Sequence, residues 1–189
     1  MSKTYVVLVL LITLTLTACS EKSKNIVALK STIFVDIQGV DTDTPPHTVN
    51  GITMVPVRAL MEKIGYEVKW FSEAQRLEVW EPSGRRPKIV MIAGHPVAFR
   101  EVYTTEIDGF LSSEEPLDTP PVLINNRMLA PLNFITWATG YTVDYTMDTE
   151  DIYLFSPRLL EAREGEGKGV SQPLTEEEKN YILSFRTEN

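Results

Sequence analysis

Residues 43–80 read DTPPHTVNGITMVPVRALMEKIGYEVKWFSEAQRLEVW, and residues 118–155 read DTPPVLINNRMLAPLNFITWATGYTVDYTMDTEDIYLF. The two stretches align without a gap. They share the DTPP tetrapeptide and five later residues, and most apolar positions keep their character in both. The identical pairs after DTPP are Asn50/Asn125, Pro56/Pro131, Gly65/Gly140, Tyr66/Tyr141 and Val68/Val143. The chain therefore contains an internal repeat, and we expect each copy of the repeat to form the same unit of structure.

Each copy carries signals for a tight turn, the start of a helix and its end. Asn-Gly favours a two-residue hairpin turn, and Asn-Asn tolerates the same left-handed backbone less easily. Proline suits the first turn of a helix, and glycine suits the residue after its end. The turns are Asn50-Gly51 and Asn125-Asn126, the prolines are Pro56 and Pro131, and the glycines are Gly65 and Gly140.

The remaining periodicity predicts hairpin, helix, hairpin for each copy. Apolar residues at 57, 60, 61 and 64 give the first helix one buried face, and residues 66–70 alternate as a strand does. Between the copies, Lys88–Ala93 and Pro96–Tyr103 predict two further strands around Gly94. We expect one α+β domain over residues 31–157, with a meandering antiparallel sheet and two short helices on one face.

The N-terminus predicts a lipoprotein signal peptide over residues 1–18. An apolar run from Tyr5 to Leu16 is too short to span a bilayer comfortably, and it ends in Leu16-Thr17-Ala18-Cys19. This ending resembles the bacterial lipobox, so Cys19 is the predicted site of a diacylglyceryl group with acyl chains such as palmitate. The alternative is an ordinary secretory signal. Residues 19–30 would tether the domain to the outer face of the cell membrane.

The C-terminus predicts a linker and a short helix. Residues 158–173 are rich in charge and glycine, which is typical of a linker. Residues 174–189 contain Thr175 and Glu178 in the spacing of a capping box, so we expect a helix there. That helix either docks on the domain or presents itself to a partner.

Composition and charge indicate which classes of partner to expect. The chain is 43% hydrophobic and has a formal net charge of −8 at pH 7. No basic stretch long enough to follow a phosphate backbone occurs, so nucleic acid is not an expected partner. Cys19 is the single cysteine, which excludes an internal disulfide.

The doubled pattern resembles the copper amine oxidase N-terminal-like domain, also called the stalk domain. The resemblance covers residues 33–155 and implies an α+β fold found in surface or secreted proteins of Gram-positive-type bacteria, generally without catalytic activity. In the second copy it is carried by residues 118–132. In the first copy it is carried by Asn50, Gly51, Thr53, Met54, Val55, Pro56, Arg58, Ala59, Leu60, Gly65, Val68 and Trp70.

The residues themselves argue against oxidase chemistry. Copper amine oxidases carry three histidine ligands and a tyrosine in Asn-Tyr-(Asp/Glu), whereas this chain has only His47 and His95. Asn180-Tyr181 is followed by Ile182. We interpret His47 as a surface imidazole and predict no metal, no cofactor and no catalytic residues. Hydrolase and phosphate-loop motifs are also absent from the sequence.

The two copies differ at the positions of Arg58 and Glu62 in the first predicted helix. We expect Arg58 to pair with Asp43 or Glu62 in a structural role; Asn133 takes its place in the second copy. Trp137 replaces Glu62, and the apolar stripe of the second helix shifts toward Phe134 and Trp137. We expect Trp137 to be buried in the core or against the terminal helix. The alternative is that Trp137 and Phe134 form a candidate binding surface for a sugar or a protein.

Two functions follow from these observations. The first is a non-catalytic, lipid-anchored cell-surface module that binds or spaces a component of the envelope, either cell-wall carbohydrate or an envelope protein. The second is an accessory subunit that presents its C-terminal helix to a membrane or wall enzyme.

Overall fold

The computed structural model describes residues 24–104, 109–144 and 150–165, which contain fourteen strands and three helices. The strands are β1 (Ile26–Ala28), β2 (Ile33–Val35), β3 (Gln38–Gly39), β4 (His47–Val49), β5 (Ile52–Pro56), β6 (Glu67–Phe71), β7 (Arg76–Trp80), β8 (Pro87–Ile92), β9 (Val97–Thr104), β10 (Gly109–Pro116), β11 (Val122–Ile124), β12 (Arg127–Pro131), β13 (Thr142–Asp144) and β14 (Ile152–Phe155). The helices are α1 (Val57–Ile64), α2 (Leu132–Thr139) and α3 (Pro157–Gly165).

The predicted hairpin turns are confirmed in both copies. Asn50 and Gly51 have φ angles of 52° and 83°, and they join β4 to β5 as a two-residue turn. Asn125 and Asn126 have φ angles of 50° and 61°, and they join β11 to β12 in the same way. Positive φ at both central positions gives the turn a twist that matches the flanking strands.

The helix boundaries follow the sequence signals with one correction. Gly65 (φ 103°) and Gly140 (φ 76°) end α1 and α2 in the left-handed conformation, as predicted. Pro56 and Pro131, however, precede the first helical residue and close strands β5 and β12. Their extended ψ angles of 108° and 131° place them at the N-cap, the residue that directly precedes the first helical residue.

The two copies meet at the centre of one five-stranded sheet, ordered β1-β4-β5-β12-β11. Strands β5 and β12 are antiparallel, and Val55 lies opposite Ala130, its equivalent in the other copy. On either side, Met54 pairs with Pro131 and Pro56 with Leu129. Exchanging the copies reproduces this register, so an approximate two-fold axis passes between Val55 and Ala130.

The α+β class is confirmed, but the strands form three sheets and not one meander. Strands β6 to β10 do meander, in chain order, as an antiparallel sheet. The third sheet, β13-β14-β2-β3, contains a parallel pair between β14 and β2. Its partners come from opposite ends of the domain, and sequence periodicity does not report such long-range pairing.

A single main core contains residues from both copies and from the meander. Both helices pack on the central strands β5 and β12. Buried members of this core include Val55, Val57, Leu60, Met61, Leu77, Val79, Ile89, Met91, Ala130, Leu132, Ile135 and Leu154. Neither copy has a main core of its own, so the two copies stabilise each other.

Helix α3 occupies the start of the segment predicted to be a linker, and this part of the prediction is wrong. The Ser156 hydroxyl accepts a hydrogen bond from the Leu159 amide at 3.2 Å and caps the helix, with Pro157 as its first residue. Leu159 and Leu160 pack against the cluster of Phe34, Tyr153 and Phe155. A capping serine followed by proline is a helix-start signal, which the glycine-rich composition of the segment concealed.

Residues 1–18, Cys19, the first part of the tether and residues 174–189 lie outside the described residues. The predictions made for them stay predictions. Among the helices that the structure describes, none has the length and apolar character needed to cross a membrane.

Candidate functional site

The two histidines lie in different settings. His47 is not at the surface as expected: it is only 7% exposed, and its Nδ1 lies 2.8 Å from the carbonyl oxygen of Pro45 as a hydrogen-bond donor. The imidazole is buried because β4 lies inside the sheet, between β1 and β5. His95 is exposed, with its Nδ1 3.2 Å from the Val97 carbonyl. In the described ranges, no three His, Cys, Asp or Glu side chains lie together as metal ligands would.

A cavity of about 480 Å³, which we call the first-copy cleft, lies beside α1 and is also bordered by β11, β12 and the turn between them. Arg58 lines it and forms an ion pair with Glu62 at 3.0 Å, one of the two partners expected for it. The same guanidinium donates to the Val68 carbonyl at 2.9 Å, which ties α1 to β6. These contacts support the structural role predicted for Arg58.

Asp43, the other expected partner of Arg58, pairs with Arg127 instead. The guanidinium of Arg127 donates twice, with Nε 3.0 Å from Oδ1 and Nη2 2.6 Å from Oδ2. These hydrogen bonds, with the attraction between the charges, lower the pKa of Asp43 and raise that of Arg127. The pair crosses from one copy to the other, and both arginines of the first-copy cleft are neutralised by carboxylates.

The equivalent surface of the second copy is built differently. Asn133 stands where the first copy has Arg58, and its side-chain amide donates to Asp118 at 2.8 Å. Trp137 stands where the first copy has Glu62. The hollow here has a volume of about 380 Å³, and Phe134 lines it. Phe134 is only 6% exposed, so it supports this surface from below and offers little area for contact.

Trp137 is 45% exposed, so the expectation that it is buried in the core is wrong. The expectation that it packs against the terminal helix concerns residues 174–189, which lie outside the described residues. The buried face of α2 consists of Leu132, Phe134, Ile135 and Ala138, which leaves the indole outside. Its ring lies 6.0 Å from the ring of Phe134, at an angle of 38°. The guanidinium carbon of Arg100 lies over the indole, 3.9 Å from the ring centroid, which is a cation–π contact.

Trp137 also borders a larger cavity of about 910 Å³, which we call the basic cleft. One wall is the end of α2, and the other comes from the loop after β7 and from strands β8 and β9. A volume of this size lies within the range of about 300–1,000 Å³ that is typical of ligand sites. The charged residues that line the basic cleft are Glu81, Arg85, Arg86, Lys88, Arg100 and Glu101.

Two of the four cations in the basic cleft are paired. Lys88 lies 2.8 Å from Glu81, and Arg86 lies 3.8 Å from Glu101. Burial alone would lower the pKa of Lys88, but its hydrogen bonds to Glu81 and Tyr66 outweigh burial and raise the pKa. Lys88 therefore stays charged at neutral pH.

Arg85 and Arg100 have no carboxylate partner within the part of the chain that the structure describes. The Nε atom of Arg100 is buried and lacks a hydrogen-bond acceptor there. A buried donor without an acceptor is costly, and such groups are uncommon in folded proteins. The basic cleft thus holds surplus positive charge in a chain whose formal net charge is −8.

Of the residues in this cleft, only Trp137 is a candidate binding residue from the sequence. Two signals could have indicated the others. Residues 84–88 read GRRPK, a dense basic run in an acidic chain. Arg100 lies opposite the buried Ile89 and two residues after the buried Ala98, so it occupies an inward-facing position of β9 where an apolar residue is expected.

The family of the chain is decided by a comparison with protein-family models. The model of the copper amine oxidase N-terminal domain matches residues 15–79 and residues 34–154. The chain belongs to this family. A search of curated proteins and a search of solved structures found no match. The copper amine oxidase N-terminal domain is a non-catalytic domain, so the exposed clefts of this chain are best examined as binding surfaces.

Proposed function

We propose that this chain is a non-catalytic, lipid-anchored module on the outer face of the cell membrane, and that it binds a component of the cell envelope through the basic cleft. The observation that carries the proposal is the exposed Trp137 with Arg100 stacked on it at the border of that cleft. Exposed aromatic side chains beside arginine are typical of binding surfaces. A match to a non-catalytic domain over most of the chain supports the absence of enzyme activity.

The proposed anchor would keep the module close to the membrane. Cys19 precedes the first described strand, which begins at Ile26. Seven extended residues reach at most about 25 Å. A module held this way meets the layer of the envelope that lies directly outside the membrane. The alternative function, an accessory subunit, depends on residues 174–189, which lie outside the described residues.

The binding part of the proposal is tested with Trp137→Ala. We expect it to weaken attachment to isolated cell-envelope material by about 5–30-fold, which corresponds to about 1–2 kcal/mol. Because the indole is largely outside the core, the melting temperature should change little. Both quantities are measured on the same preparation, by sedimentation with the envelope material and by thermal unfolding.

Trp70→Ala is the matched control. Trp70 is 37% exposed, but it lines the first-copy cleft, where both arginines are paired. We expect this variant to bind as the wild type does. Equal attachment by wild type and Trp137→Ala would refute binding through the basic cleft, and so would equal losses in the two tryptophan variants.

The anchor is tested with Cys19→Ala. We expect the variant to leave the membrane fraction or to accumulate as an uncleaved precursor, and to lose the label after growth with a radioactive fatty acid. Equal labelling of wild type and variant would contradict acylation at Cys19.

A further inference from the structure

We infer that the ligand of the basic cleft is an acidic carbohydrate polymer, with Arg85 and Arg100 holding its carboxylate or phosphate groups and Trp137 packing against a sugar ring. The inference rests on the proposed function, because it names the ligand class of the same site. It depends on three features of the cleft: its unpaired charge, the restrained guanidinium of Arg100 and the aromatic border.

The charge of the cleft distinguishes it from the other cavities. The first-copy cleft also contains arginines, but Arg58 and Arg127 are each bound to a carboxylate of the protein. In the basic cleft, Arg85 and Arg100 have no such partner within the described ranges. Cations that are already paired with carboxylates of the protein add little to the affinity for an anionic ligand. Unpaired guanidinium groups, in contrast, form strong charge-assisted hydrogen bonds with such a ligand.

The position of Arg100 indicates that its guanidinium is held ready for a ligand. Its contact with Trp137 at 3.9 Å restrains the side chain, and its Nε lies buried without an acceptor. Holding the guanidinium in place before binding lowers the entropy cost of forming the complex. The planar fork of an arginine fits carboxylate and phosphate equally well, so either group satisfies the chemistry.

The ligand should also carry a sugar ring and extend beyond one residue. Trp137 is 45% exposed and lies at the rim, where it offers apolar area to the C–H face of a ring. The cleft is open and about 910 Å³ in volume, which leaves room for more than a small anion.

The test uses the full chain, solubilised in a non-ionic detergent, with two acidic polymers and their neutral forms. Polygalacturonate carries carboxylates, and its methyl ester does not; phosphomannan carries phosphates, and dephosphorylated mannan does not. Affinity electrophoresis in gels that contain each polymer measures binding. We expect retardation by at least one acidic polymer, none by its neutral form, and weaker retardation as salt is added. The acidic polymer that retards the protein identifies the carboxylate or the phosphate as the group recognised.

Single-charge variants then locate the site. We expect Arg85→Gln and Arg100→Gln each to weaken binding of the acidic polymer about threefold to tenfold. Lys63→Gln is the matched control, since it removes one exposed positive charge from α1, away from the cleft, and it should bind within about twofold of the wild type. Arg85 is exposed, so its variant remains informative if Arg100→Gln is unstable.

The outcomes separate this inference from the function on which it rests. Equal retardation by an acidic polymer and its neutral form would overturn the inference, as would no retardation by any polymer or unchanged binding in both arginine variants. If Trp137→Ala still weakens attachment to the envelope in that case, the basic cleft binds a different ligand and the proposed function stands. If Trp137→Ala has no effect on that attachment, the proposed function fails as well.

Discussion

Helices α1 and α2 occupy equivalent places in the two copies, and they share two buried positions, Val57/Leu132 and Leu60/Ile135. Leu60 and Ile135 are equivalent, and both are fully buried in the shared core. On the outer faces, the Arg58–Glu62 ion pair of α1 is replaced by Asn133 and Trp137 in α2. The core preserves the repeat because both helices must pack on the same pair of central strands. The surfaces are free of that constraint, and they have diverged.

The candidate binding site depends on this divergence and also on a contact that the first copy does not make. Strands β8–β10 are inserted between the copies and extend the β6–β7 hairpin of the first copy into the meander, and β8 and β9 face the end of α2. Arg100 on β9 therefore stacks on Trp137, whereas α1 packs beside β6, and Arg58 is bound there to the Val68 carbonyl. A repeat can thus supply the framework of the fold while an inserted segment gives its two copies different surfaces.

Separating the copies should have the largest effect. Their central strands pair with each other, and one main core contains residues from both. A fragment of residues 31–93 therefore loses the β5–β12 pairing and much of that core, and we expect it to be unfolded. Such a short chain buries too little surface to offset its conformational entropy. Circular dichroism during heating would show this, and a sharp, reversible melt of the fragment would contradict it.

Shortening the equivalent core residues should have a smaller effect that is similar in the two copies. Leu60→Ala and Ile135→Ala each remove a fully buried side chain, and we expect each to lower the unfolding free energy by about 2–5 kcal/mol. Urea denaturation of both variants measures the two losses. If one of them were below about 1 kcal/mol, the two helices would not contribute equally to the core.

The smallest effect should come from the ion pair that joins the copies. Arg127 lowers the pKa of Asp43 in the folded state below the value of 3.8 that applies to the unfolded chain. The pair therefore stabilises the folded state at pH values above 3.8, and this stabilisation is lost as the pH falls through the lower pKa of the folded state. The difference in unfolding free energy between wild type and Asp43→Asn should therefore shrink as pH falls below about 4. Asp118→Asn is the control, because the partner of Asp118 is the neutral amide of Asn133. If the difference in unfolding free energy between wild type and Asp43→Asn stays constant down to pH 2, the ion pair does not stabilise the folded state in this way.

Much of the fold could be predicted because its signals are local. The turns at Asn50-Gly51 and Asn125-Asn126, and the helix ends at Gly65 and Gly140, depend on the backbone preferences of one or two residues. At helix α3 two local signals conflict: Ser156 and Pro157 indicate a helix start, whereas the charged, glycine-rich composition of residues 158–173 indicates a linker. The buried position of His47 was missed because it depends on β1, which comes from a part of the chain predicted to be a tether.

The sequence by itself determined the repeat, the order of hairpins and helices, and the family to which the chain belongs, because each of these follows from residues close together along the chain. Only the tertiary structure decided that β14 pairs in parallel with β2, that Asp43 binds Arg127 and that Trp137 lies at the surface beneath Arg100. The physical reason is distance along the chain. Whether a side chain is buried, paired or exposed depends on which remote strand lies opposite it, and the periodicity of its own segment does not contain that information.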